Sequence, residues 1–176
     1  MVTLSDTPVL TTERLVLRAP QAGDWPAWRD FAIGERARWI GGPMVEPGQA
    51  WRAFGHIVGH WVLRGFGSFV VTDRDGGAPL GLVGPWFPDG WPEHELGWTL
   101  WDVAAEGRGI AHEAALAARD FAARQLGWTT AVSYILPANA RSAALAERLG
   151  AVRDPDAAHP GKEPCLVYRH PMRGAA

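Results

Sequence analysis

The sequence predicts one α/β (α+β) domain spanning residues 1–176, built on a mixed central sheet of six to seven strands with helices on both faces. Three observations lead there. Strand-like and helix-like hydrophobic periods follow one another along the whole chain. A chain of 176 residues with 47% hydrophobic content is long enough to bury one good core. No internal repeat, low-complexity segment or linker divides it.

The elements follow in order. A strand at residues 14–18 leads through Pro20 to a helix at 24–33, where Asp24-Trp25-Pro26 makes a capped start. Gly41, Gly42 and Pro43 break the chain, and 46–64 reads as a second helical region. Strands at 68–73 and 79–85 are joined by Arg74-Asp75-Gly76-Gly77, whose Asp-Gly pair is a hairpin signal. Residues 87–92 form a Pro/Gly/Asp loop before a strand that begins near His94. A strand at 130–136, a helix at 140–149 stopped by Gly150 and a closing strand at 165–170 complete the chain.

The most informative stretch is Glu106-Gly107-Arg108-Gly109-Ile110-Ala111-His112-Glu113-Ala114. It follows the alternating run Leu96-Gly97-Trp98-Thr99-Leu100-Trp101 and opens a helix whose apolar face is Ala114, Ala115, Leu116, Ala118, Phe121 and Ala122. Glycines at such a junction let backbone N–H groups turn outward, and with the positive end of the helix dipole those groups bind a pyrophosphate. Arg108 adds a charge-assisted donor. The plain alternative is an ordinary strand-to-helix turn. A P-loop is excluded, since GxxxxGK[ST] is absent and Lys162 is the only lysine. A GxGxxG fingerprint is excluded because His112 stands where the third glycine would fall.

The loop resembles the (Gln/Arg)-x-x-Gly-x-(Gly/Ala) signature of the GNAT acyltransferase superfamily, and the chain is most similar to its Rim-type ribosomal-protein N-acetyltransferase branch. The resemblance runs nearly end to end: Thr12-Glu13-Arg14-Leu15-Val16-Leu17-Arg18 with Asp24, Leu80-Gly81-Leu82-Val83-Gly84, Glu95 to Leu100, Glu113-Ala114, Asn139-Ala140-Arg141-Ser142, and Leu145-Ala146-Glu147-Arg148-Leu149-Gly150-Ala151. Two positions depart from it. Glu106 replaces Gln or Arg, and its carboxylate would repel phosphates unless it points away; His112 stands where Thr is usual.

The resemblance implies an N-acetyltransferase that moves an acetyl group from acetyl coenzyme A, as cosubstrate and without a metal, to an amine. The branch's acceptors are N-terminal α-amines of ribosomal proteins; an amino acid, polyamine or aminoglycoside is the small-molecule alternative, and a non-catalytic acyl-CoA-binding module is the alternative from another class. Pantetheine would lie along Leu100, Trp101, Asp102 and Val103, borrowing backbone hydrogen bonds. The pyrophosphate would sit on Gly107, Arg108, Gly109, Ile110, Ala111 and His112. Asn139 would bind the arm while also serving as an N-cap. A homodimer is compatible with the family.

Acetyl transfer requires a neutral amine. A lysine side chain, at ~10.4, is neutral about once in 2,500 at pH 7, a handicap of roughly 4.6 kcal/mol; an α-amine near ~7.8 loses only about 1.1. Glu95 is the candidate base. The strand period places it opposite the stripe of Leu96, Trp98 and Leu100, and it matches a family position that often acts as a base, frequently through water. The alternative is a solvated edge carboxylate. His94 shares the face of Leu96 and reads as packed or surface; Glu93, in the loop, ranks third. Ser142 matches the family serine that can lie against the coenzyme A sulfur, its plain alternative being an ordinary residue of the first helical turn; Tyr134 is the other possible donor, although a tyrosine in an apolar strand usually reads as core packing.

Of ten tryptophans, most, such as Trp98 and Trp128, read as core; Trp39, Trp86 and Phe87 fall where the family forms its acceptor pocket. His56 and His60 share a helix face but read as surface residues, because no HExxH glutamate accompanies them. A net charge of −2 and a pI near 6.3 give no reason to expect nucleic acid or an acidic membrane. The single Cys165 suits a reducing cytoplasm, and residues 1–10 lack the pattern of a secretory signal.

Overall fold

The computed structural model describes residues 4–46 and 48–172. The start of the segment read as lacking a signal, Pro47 of the predicted second helical region, and the last four residues of the predicted domain lie outside it.

Among the described residues eight strands form one sheet, in the order β1-β2-β3-β4-β5-β6-β8-β7. They are β1 Leu10–Thr11, β2 Leu15–Arg18, β3 Phe69–Asp73, β4 Gly81–Trp86, β5 Glu95–Leu100, β6 Val132–Ile135, β7 Val152–Arg153 and β8 Leu166–Arg169. The two strands beyond the predicted six are β1 and β7, each of two residues at an edge of the sheet, too short to carry a period of their own. The sheet is mixed because β5 and β6 run parallel while every other neighbouring pair is antiparallel.

Among the described residues four α-helices cover it: α1 Trp25–Ala32, α2 Gln49–Arg64, α3 Ile110–Arg124 and α4 Ala140–Arg148. Alternation along the strands decides which helix goes where. Leu15, Leu17, Phe69, Val71, Val83 and Leu96 point to one face and bury Ile110, Ala114, Ala115, Ala118 and Phe121 of α3 with Leu145 of α4. The alanine-rich stripe lets α3 lie close on the strands. Val70 and Leu82 point the other way, against Trp28, Phe31, Phe54 and Ile57 of α1 and α2. Burying a side chain of this size contributes roughly 1.5–3 kcal/mol, so these two layers dominate the stability.

The capped start at Asp24 does not hold. Asp24 makes no side-chain cap; its carboxylate, 1% exposed, takes a two-pronged ion pair from Arg18 at 2.8 Å on each oxygen and the Gln21 N–H at 2.8 Å. A buried charge is held best by a bidentate guanidinium, and that partner outcompetes the helix end. His60 also departs from expectation. It is buried, accepting from the Phe87 N–H at Nε2 (2.9 Å) and facing the Phe66 carbonyl with Nδ1 (2.8 Å), and it stacks on Trp86 with centroids 4.3 Å apart. Those two bonds require the neutral Nδ1–H tautomer. Burial pushes its pKa down, against the opposing effect of its backbone partners. His56 is exposed, as the sequence suggested.

Candidate active site

The site lies where β5 and β6 part. They share a single register pair, Glu95 opposite Val132, closed by the Val132 N–H on the His94 carbonyl at 2.9 Å. One residue further on, the Leu96 carbonyl is taken by the Ser133 hydroxyl at 2.5 Å rather than by a ladder bond. The pairing of β4 with β5 continues unbroken from Trp86–Glu95 to Gly81–Leu100. Backbone groups alternate sides along a strand, so those of Trp98 and the Leu100 N–H face the side from which β6 has withdrawn. An unpaired strand edge of this kind pairs with an extended, amide-bearing chain.

At its far end β5 turns into the cradle. Arg36, between α1 and α2, donates to the carbonyls of Leu100 (2.9 Å) and Trp101 (2.6 Å), and the N–H groups of Trp101 and Asp102 go to the Leu80 carbonyl. Asp102 caps the following turn through the Ala104 N–H at 2.8 Å, and the Val103 side chain is exposed. Of the four residues expected along the pantetheine arm, Leu100 thus keeps a free N–H, while the carbonyls of Leu100 and Trp101 are already occupied.

Gly107 (φ 72°) and Gly109 (φ 77°) both adopt left-handed backbone that a side chain would strain, which is why glycine stands at each. The first bond of α3 runs from the Glu113 N–H to the Gly109 carbonyl at 3.0 Å, so the N–H groups of Ile110, Ala111 and His112 have no acceptor within the helix. Arg108 is exposed. The loop is anchored from β2's side of the fold. Arg14 donates to the Arg108 carbonyl at 3.0 Å and to Glu113 at 2.6 Å, and Glu113 also accepts from Thr12 at 2.5 Å. Two stretches far apart in the sequence, Thr12-Glu13-Arg14 and Glu113-Ala114, therefore form one device that fixes the cradle. Burial would raise the Glu113 carboxyl, but Thr12 and Arg14 outweigh it and hold it low.

Glu106, the departure from the signature, is neutralised by two arginines. Arg36 approaches one oxygen at 2.5 Å and Arg141, from the first turn of α4, the other at 2.7 Å. Burial alone would raise its carboxyl; hydrogen bonds and charge from Arg141 and Arg36 prevail and lower it. Beside it, Asn139 caps α4 through the Ser142 N–H at 3.2 Å. The Ser142 hydroxyl accepts from the Trp98 indole at 3.3 Å, which leaves its own hydrogen free.

Glu95 is no solvated edge carboxylate. It faces the α1/α2 side of the sheet, opposite Trp86, and the loop before β5 folds back so that the Trp91 indole donates to its Oε2 at 2.7 Å. Burial pushes its carboxyl up to about 7, against the lowering effect of Trp91. Its Oε1 lies toward Gly97, where an added Cβ would touch it at 3.5 Å, so glycine keeps that oxygen accessible. One oxygen is fixed and the other is free.

The remaining groups sort themselves around it. Tyr134 extends from β6 on the same face; its buried hydroxyl makes no well-formed hydrogen bond, and burial pushes its pKa up to about 12, with the Glu93 and Glu95 carboxylates adding to the rise and the Glu93 backbone opposing it. It is a phenol left open beside the base rather than simple core packing. Glu93 is occupied by Arg169 at 2.6 and 3.0 Å and is not available as a base. His94 stacks on Trp128 with centroids 4.1 Å apart. The three expected acceptor aromatics are not brought together. Trp86 lies against His56 and His60, Phe87 between Arg64 and His94, and Trp39 beneath Arg38. Trp86 does stand across the strand pair from Glu95, but the aromatic that hydrogen-bonds Glu95 is Trp91, whose spacing of four residues across a Pro-containing loop gave no periodic signal.

Residues 14–152 match the family model described as "Acetyltransferase (GNAT) domain". The fold superposes on the acetyltransferase from Agrobacterium tumefaciens str. C58 with a TM-score of 0.87 and 40% identity, covering 97% of this chain and 98% of that one. A Bordetella pertussis protein assigned to the GnaT acetyltransferase family matches at 29% identity and TM-score 0.75, covering 93% and 99%. RimL, a ribosomal L7/L12 α-N-protein acetyltransferase in complex with coenzyme A, matches at 16% identity and TM-score 0.70 over 93% and 96%, a likeness of fold alone.

The chain belongs to the GNAT acetyltransferase family. It is an acetyl coenzyme A-dependent N-acetyltransferase, and its second substrate is an amine. The parted strands and the free N–H groups of the cradle fit that cosubstrate, which supplies an acetyl group activated as a thioester. Among the described residues no three His, Cys, Asp or Glu side chains come together to hold a metal ion, and no helix is long and apolar enough to cross a membrane.

Proposed function

We propose that the acceptor is a primary α-amine, in the first place the N-terminal α-amine of a protein, as in the ribosomal-protein branch that the sequence resembles. The observation that carries this is Glu95, with its carboxyl near 7, one oxygen held by Trp91 and one left free. Taking a proton from an α-ammonium near ~7.8 costs this base about 1 kcal/mol, and from a lysine ammonium near ~10.4 about 4.6 kcal/mol. A base of this strength reaches an α-amine at small cost, whereas a side-chain amine, whose higher pKa adds the same handicap against any base, would need further help from the site. The roles then follow: Glu95 removes the ammonium proton, directly or through water, and the N–H of Trp98 or Leu100 holds the thioester carbonyl. As the new N–C bond replaces the C–S bond, the free hydrogen of Ser142 meets the departing sulfur. Pantetheine lies along the free edge of β5, and the N–H groups around Gly107–His112 take the pyrophosphate. A reducing cytoplasm is the setting we propose, since a chain with a single cysteine has no intramolecular disulfide to form.

A second reading within the same chemistry is a small α-amino compound, favoured by the way the 87–94 loop folds over Glu95. Release of coenzyme A thiol is measured with short peptides bearing a free α-amine, with free amino acids, a polyamine and an aminoglycoside. Turnover of peptides above all others supports the protein N-terminus. Turnover confined to amino acids moves the assignment to the second reading, and turnover confined to the polyamine or aminoglycoside overturns the α-amine reading.

A further inference from the structure

A carboxylate at the head of a phosphate cradle is the least expected residue in this chain, and its surroundings show how it is used. Glu106, Arg36 and Arg141 together carry one net positive charge. The two arginines are not equivalent. Arg36 is pinned, giving its guanidinium to three acceptors: the Leu100 and Trp101 carbonyls and Glu106. Arg141 has Glu106 as its ion-pair partner, and its side chain is 74% exposed, so most of its donors face solvent. It projects from the first turn of α4, one residue before Ser142, across from the loop that begins at Gly107.

We propose that Arg141 is a phosphate-binding arm for coenzyme A, parked on Glu106 beside the cradle, and that Arg36 is the fixed counter-charge that keeps Glu106 from repelling the ligand. When Arg141 turns its outward N–H groups to a phosphate, Arg36 still neutralises Glu106, so the carboxylate positions a cation without opposing the anion. Glu106 thereby does for Arg141 what a bound side chain does for any long, flexible cation: it reduces the freedom lost on binding.

The test uses the full chain and coenzyme A itself, so it needs no acceptor and is independent of the α-amine reading. The dissociation constant is measured by titration calorimetry at low and high salt for the parent protein, Arg141→Ala, Arg36→Gln and the Arg36→Gln/Glu106→Gln pair, with thermal unfolding as the folding control. Arg141→Ala is expected to weaken binding about tenfold at low salt, and the loss should shrink as salt screens the phosphates. Arg36→Gln should weaken binding as well, and adding Glu106→Gln should restore most of it, because the uncompensated carboxylate is gone. An Arg141→Ala loss that persists undiminished in high salt, or no loss at all, overturns the proposal. So does a double variant that binds no better than Arg36→Gln. If Arg36→Gln does not fold, the salt dependence of Arg141→Ala decides alone.

Discussion

Replacing Glu95 by glutamine should raise stability and abolish most activity at the same pH. The folded carboxyl sits near 7 against an ordinary 4.5. Between those values the folded protein holds a proton that the unfolded chain has already released, so stability falls as pH rises through the window and the full cost is present above pH 7. The difference corresponds to about 3 kcal/mol, an upper bound because the residue keeps some contact with solvent. Glutamine keeps an oxygen for the Trp91 indole and never ionises. Glu95→Gln should therefore gain about 1–3 kcal/mol at pH 8 and almost nothing at pH 4.5; at about 2–4 °C per kcal/mol for a chain of this length, Tm rises by a few to about 10 °C. Turnover at pH 8 should fall by about 10²–10⁴, the usual worth of a general base. The assay is thermal unfolding at both pH values beside thiol release with an α-amine substrate. An equal gain in Tm at both pH values would trace the effect to packing, and a loss of turnover below about tenfold would remove Glu95 as the base.

Other consequences can be checked on the same material. Arg18→Met leaves the buried Asp24 with only the Gln21 N–H, and urea unfolding should show a loss of about 3–5 kcal/mol; a loss near zero would mean that water replaces the guanidinium. Burial pushes His170 down to about 4, with the Arg119 charge adding to the fall. The unfolded chain then binds a proton below about 6.5 that the folded protein refuses, so stability is full above that pH and falls as the pH drops toward 4; His170→Phe should flatten that slope in urea unfolding curves. Arg14→Ala frees the Arg108 carbonyl and Glu113, and coenzyme A affinity should fall about five- to tenfold with a stability loss near 1 kcal/mol; unchanged affinity in calorimetry would show that the cradle keeps its shape without this anchor.

What could be read in the sequence was what local period and local backbone chemistry encode. The alternation of Leu96, Trp98 and Leu100 gave β5 its faces, and Gly107 and Gly109 marked the cradle because no other residue suits their backbone. The edge strands β1 and β7 escaped because two residues have no period, and they form only by pairing with β2 and β8. The partners that give the site its electrostatics were hidden for a different reason. Arg36 lies seventy positions from Glu106 and Arg14 ninety-nine from Glu113, separations over which no pattern in one sequence speaks. Asp24 and His60 were misread on the same account: a cap and a surface histidine are the local readings, and Arg18 and the Phe66 and Phe87 backbones supplied tertiary partners that bind better.

A single competition sets the α-amine against the lysine side chain. A peptide carrying one free α-amine and one lysine is incubated with the protein and acetyl coenzyme A, and the modified site is located by mass spectrometry. The α-amine reading predicts one acetyl group per peptide, on the α-amine, with one thiol released for each, since freeing the lysine of its proton costs about 3.5 kcal/mol more. Acetylation of the lysine in preference to the α-amine would contradict the α-amine reading, because the site would then have to offset the lysine's higher pKa.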